Sequence, residues 1–138
     1  DTAWFARIDA AGGAVFFAAG VFYYFLTEQV RTLVQKMAKA FPGGRLVFDA
    51  ANQKAVKLML KTWIRDAEIR EVGAYFAVSD AKKELSPWAA GLRVSSRGYM
   101  LGYHDLKDPS VSRLFRFMAK VGDRKMAMQI VQLTFGEV

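Results

Sequence analysis

Two short, uninterrupted apolar runs flank an amphipathic stretch, and this arrangement limits the fold of the chain more than any other feature. The first run, Ala14-Val15-Phe16-Phe17-Ala18-Ala19, is bounded by Gly12-Gly13 and Gly20, and the second is Arg45-Leu46-Val47-Phe48-Asp49. Runs of this kind suit strands buried on both faces, as in a parallel sheet. Between them Val30, Leu33, Val34, Met37, Ala38 and Phe41 recur at helical spacing. Thr27 reads as the N-cap, Glu28 lies where the helix dipole favours an acid, and Pro42-Gly43-Gly44 ends the helix. Strand, helix and strand with short connections form a βαβ unit with parallel strands and a right-handed crossover.

The rest of the chain is less regular. Asn52 is placed to cap a second helix, with Ala55, Val56, Met59, Leu60, Trp63 and Ile64 on one face and lysines on or near the other. Ala74 to Val78 is a brief apolar segment, Ser86-Pro87-Trp88 a helix start or turn, and Leu92 to Ser95 an alternating strand. Asp108-Pro109 reads as cap and first residue of a helix whose apolar face is Val111, Leu114, Phe115 and Met118. After a turn at Gly122-Asp123, Lys125 to Phe135 reads as one long strand. Met126, Met128, Ile130, Leu133 and Phe135 point inward, and a bulge shifts the phase near Val131. The order predicts an α/β domain, half of a doubly wound sheet finished by antiparallel strands.

Composition removes several chemistries. The 138 residues include no cysteine and one histidine, so disulfides, thiolate catalysis and cysteine-based zinc sites are out, and no metal site is expected from the scattered acids. The apolar stretch from Ala14 to Leu26 is shorter than the roughly 20 residues of a membrane span. No secretory leader pattern opens the sequence, and a cytoplasmic protein with no membrane partner is expected. The first residue is Asp1 rather than methionine, which suits a processed or truncated piece. The net charge of +7 raises nucleic-acid binding as a possibility, but the basic residues are dispersed, without a tight run interleaved with aromatics.

The segments Ala18-Ala19-Gly20-Val21-Phe22-Tyr23-Tyr24-Phe25-Leu26 and Phe41-Pro42-Gly43-Gly44-Arg45-Leu46-Val47-Phe48-Asp49 resemble the leucine carboxyl methyltransferase superfamily, most closely its polyketide-synthesis O-methyltransferase branch. Ser86-Pro87-Trp88 with Gly91-Leu92, and Gln129 to Gly136, resemble that branch's tail. The resemblance spans about Trp4 to Gly136. It implies that residues 1–138 are the C-terminal half of a class I (Rossmann-like) S-adenosylmethionine-dependent methyltransferase sheet, strands four to seven with the last one reversed, without the N-terminal cofactor-binding half. Gly12-Gly13 precedes a strand and Gly43-Gly44 ends a helix, so neither sits where a cofactor loop must be. The implied activity is methylation of a carboxyl or hydroxyl on a small organic or polyketide-type substrate, with the segment alone inactive.

The resemblance places Ala18, Ala19 and Gly20 at the cofactor S-adenosylmethionine, with Ala19 where the family often has glutamate. Tyr23, Tyr24 and Asp49 fall on the substrate side. No catalytic residue is assigned; if a hydroxyl acceptor needs a base, His104 is the histidine candidate. Plainer accounts stand beside these. Gly20 would allow a tight bend, the tyrosines would pack in the core or rim, Asp49 would cap the following turn, and His104 would lie on the surface. Trp63 and Trp88 would fill the core or an interface. A non-catalytic binding or oligomerisation module is the alternative function. The strand Ala14–Ala19 is expected at a bare sheet edge, covered by another copy of the chain in a homo-oligomer.

Overall fold

The computed structural model describes residues 1–63, 75–102 and 106–136. Strand β1 (Val15–Ala18) leads through a 3-10 turn at Phe22–Tyr24 into helix α1 (Thr27–Ala40), and strand β2 (Arg45–Ala50) follows. Helix α2 (Gln53–Trp63) comes next, then a short helix α3 (Ala81–Leu85), strand β3 (Arg93–Gly98), helix α4 (Arg113–Lys120) and strand β4 (Gln129–Thr134). The four strands form one mixed sheet in the order β1-β2-β4-β3. The chain is thus a small α/β domain. β1 runs parallel to β2, in the register Val15 to Arg45 and Ala18 to Phe48. β4 is antiparallel to both β2 and β3.

The core lies on one face of this sheet. Leu46, Phe48 and Ala50 alternate inward on β2, and Val131, Leu133 and the following Phe135 do so from β4. Val30, Val34 and Met37 of α1 pack in the same cluster, as the helical spacing predicts, and Phe41 closes it below the last turn. Phe22, Phe48 and Phe76 meet with ring centroids 5.1 to 6.0 Å apart, and Trp88 lies tilted against Phe76 at 5.9 Å. Burying each such side chain contributes about 1.5–3 kcal/mol. Gly43 follows α1 with φ +75°, and its amide donates to the Phe135 carbonyl at 3.2 Å. A side chain there would be strained in the left-handed region.

The opposite face is open near β1, where Val15 and Phe17 are 56% and 76% exposed. A smaller cluster of Tyr23, Ala51, Ala55, Val56 and Leu60 seats α2, with Met126 and Met128 packed against it. Asn52 caps α2 as expected, accepting the Ala55 amide at 3.0 Å.

Several local expectations need correction. Thr27 is the first residue of α1; the cap is Leu26, which has no side-chain oxygen to offer, and its amide donates to the Gln29 side chain at 2.9 Å. Asp108 does not start α4. Its carboxylate accepts both the amide and the hydroxyl of Ser110, forming a local turn, and Ser112 caps the helix by accepting from the Phe115 amide. The final strand begins only at Gln129 and carries no bulge. Gln129, Val131, Leu133 and Phe135 point to the core in one phase, while Met126 and Met128 belong to an irregular entry where Ala127 takes φ 48°. Gly122-Asp123 lies within a single π-helical turn, Val121–Lys125. Finally, α4 is turned the other way round: Leu114, Phe115 and Met118 are exposed. Ile64, Ala74 and His104, and the side chain of Trp63, lie outside what is described.

Candidate functional site

Parallel pairing of β1 with β2 brings the carboxyl ends of both strands to one side of the sheet. In open α/β sheets that side gathers the ligand-binding loops. Ala18 closes β1, and the chain turns at Ala19-Gly20, where Gly20 takes φ +65°. A Cβ at Gly20 would meet nothing within 4 Å, so backbone conformation rather than crowding selects glycine here.

Asp49, near the end of β2, ties the two strand ends together. One carboxylate oxygen accepts the Gly20 amide at 2.7 Å, and the other accepts the Tyr23 hydroxyl at 2.9 Å. Asp49 therefore holds the loop after β1 rather than capping the turn that follows β2. The Tyr23 ring is buried beside α2. Burial, then the hydrogen bond to Asp49 and that group's negative charge, hold the Tyr23 hydroxyl protonated far above the ordinary phenol range. Tyr23 is thus a fixed donor, and both Asp49 carboxylate oxygens are engaged as acceptors.

Beside this pair opens a cavity of about 460 Å³, lined by Ala18, Ala19, Gly20 and Asp49 together with Phe17, Tyr99 and Ile130. Four of the six residues marked from the sequence thus share one cavity. Tyr23 stands behind it through Asp49, and Tyr24 is 46% exposed and absent from its lining. Phe17, Tyr99 and Ile130 were not singled out from the sequence. Phe17 could have been, because strand alternation sets it on the same face as Asp49. Ile130 could not, because only insertion of β4 beside β2 pairs it with Asp49. A second cavity of about 480 Å³ lies along the flank of α1, among Val21, Phe25, Leu33 and Lys36. It takes in Val21 and Phe22, just after Gly20, and its polar lining includes Glu28, Gln29 and Lys36 from α1.

The strand-end cavity combines small and aromatic side chains with one carboxylic acid. Ala18 and Ala19 contribute the small side chains, and Asp49 the carboxyl group. Comparison with protein families, with curated proteins and with solved structures finds nothing that matches this chain.

Proposed function

We propose that the chain forms the C-terminal strands of a class I S-adenosylmethionine-dependent O-methyltransferase acting on a carboxyl or hydroxyl of a small organic or polyketide-type molecule. The observation that carries this reading is the placement of the last strand. β4 inserts between β2 and β3 and runs against both, while β1, β2 and β3 share one direction. Such a reversed final strand is what the family resemblance of the sequence leads one to expect.

Ala18, Ala19 and Gly20 would face the cofactor, and Asp49 would keep their loop in place through the Gly20 amide. The cofactor, when bound, supplies an electrophilic methyl group. The residues of the chain then have to align the acceptor oxygen and exclude water, and a carboxylate acceptor needs no base. Phe17, Tyr99 and Ile130 give the cavity an apolar wall suited to an organic acid or aromatic ring.

Titration of the ¹⁵N-labelled chain with S-adenosylhomocysteine tests the reading. Weak binding is expected, with amide shifts confined to Ala18, Ala19, Gly20 and Asp49. The complete product of the reading frame should transfer a labelled methyl group to carboxylic acids or phenols. Absence of both effects refutes the proposal, and micromolar binding by these residues alone refutes the view that the tight cofactor contacts lie elsewhere.

The exposure of Val15 and Phe17 on β1 favours a second reading, a binding or oligomerisation module without chemistry. It predicts self-association with no methyl transfer from the complete product.

A further inference from the structure

Helix α4 is an amphipathic helix with its apolar side outward. Leu114, Phe117 and Met118 are 68%, 64% and 62% exposed, and Phe115 is 45% exposed. At helical spacing these four side chains span an arc of about 160°. On the other side Ala119 is buried, and the Arg116 guanidinium turns back to donate to the Asp108 carbonyl at 2.5 Å. A soluble helix ordinarily places these two kinds of residue the other way round.

Among the described residues, the charges on α4 and in the turn after it are positive except for Asp123. Arg113 and Lys120 stand at the ends of α4, and Arg124 and Lys125 follow in the next turn, all four exposed. No acid lies between Pro109 and Gly122. The two nearest acids are engaged. Asp108 accepts from Ser110, and Asp123 accepts the amides of Met100 and Leu101 at 3.0 and 2.6 Å.

We infer that α4 docks on an anionic phospholipid surface, with Leu114, Phe117 and Met118 inserted below the headgroups and Arg113, Lys120, Arg124 and Lys125 held at their phosphates. A convex apolar ridge with a basic border is the pattern of helices that lie in a membrane interface. A second copy is a poorer occupant, because two such helices would bring like charges together at the contact. No described helix is long and apolar enough to cross a membrane, so the association is with the surface.

Flotation with vesicles of phosphatidylcholine, alone or mixed with phosphatidylglycerol, tests this. Binding is expected to the anionic vesicles only, and to weaken at least about tenfold as salt rises from about 50 to about 500 mM. The double variant L114S/F117S keeps every charge and should lose at least about tenfold in binding. Both positions are surface residues, and an unchanged circular dichroism spectrum and melting temperature would show that the fold survives. In F117W, indole emission should shift to the blue on adding anionic vesicles. If L114S/F117S binds as well as the parent, net charge alone explains the binding and the inference is wrong. It is equally wrong if the parent ignores anionic vesicles, or if L114S/F117S merely dissolves a dimer that binds no lipid.

Discussion

The Asp49 carboxylate accepts the Tyr23 hydroxyl at 2.9 Å across 26 positions of sequence, and with its other oxygen it accepts the Gly20 amide at 2.7 Å. One side chain thus joins the end of β2, the turn after β1 and the approach to α1. The shape of the strand-end cavity depends on this bridge, because Gly20 and Asp49 both line it.

Replacing Asp49 by alanine should therefore cost about 1–3 kcal/mol, as a buried hydroxyl and a loop amide both lose their acceptor. D49N keeps one acceptor oxygen and should cost less, and Y23F should cost about 1 kcal/mol. Urea titration followed by circular dichroism gives the ranking. Equal stability of D49A and the parent would show that the bridge contributes nothing.

The same bridge predicts a loss of stability in alkali. Folding raises the pKa of Tyr23, so its contribution is complete below the unfolded value near 10 and is lost as pH climbs beyond it. The unfolded chain then releases a proton that the folded chain retains, and the slope from this group is about 1.4 kcal/mol per pH unit. Lysines also titrate there, so the measurement is the difference between parent and Y23F between about pH 9 and 11. Y23F should be the flatter of the two, and parallel curves would refute the assignment.

The convergence of Ala18, Gly20 and Asp49 was legible in the sequence because it follows from two buried runs joined by one amphipathic helix. Once β1 and β2 pair in parallel, their ends must meet. The α1 face was legible for the same reason, since Val30, Val34 and Met37 repeat with the helical period. The direction in which α4 faces was not. A period shows that a helix has two sides, but which side meets the protein is decided by what lies beside it. The phase of β4 was hidden differently. Met126, Met128 and Ile130 alternate as well as Val131 and Leu133 do, and buried Gln129 disguised the true core phase with a polar residue.

Gln129 supports the fold through hydrogen bonds. Its side-chain amide donates to the carbonyls of Ser79 and Ala127 at 3.1 Å, and to that of Val78 at 3.4 Å, fastening the segment before α3 to the sheet. Q129L fills similar volume but leaves these carbonyls without their donor. It should lower stability by about 1–3 kcal/mol, read as a lower urea midpoint with an unchanged slope. An unchanged midpoint would mean that the carbonyls find other partners.

The β1 edge carries the remaining prediction. Ala14 accepts the Arg45 amide at 2.9 Å, so alternation along a parallel ladder turns the amides of Val15 and Phe17 away from β2. Those groups border an apolar patch made by the same two side chains. Bare edges of this kind invite another strand, and a charged side chain on the edge discourages it. The parent chain should therefore self-associate, with a sedimentation coefficient that rises with concentration. F17K should sediment as a single chain at every concentration while keeping its helical signal. Added salt separates this contact from one made by α4. Strand pairing and apolar contact hold or tighten as salt rises, whereas a contact between the basic flank of α4 and an acidic surface weakens. If the parent is monomeric throughout, or F17K associates as readily as the parent, the β1 edge is not the joint between copies.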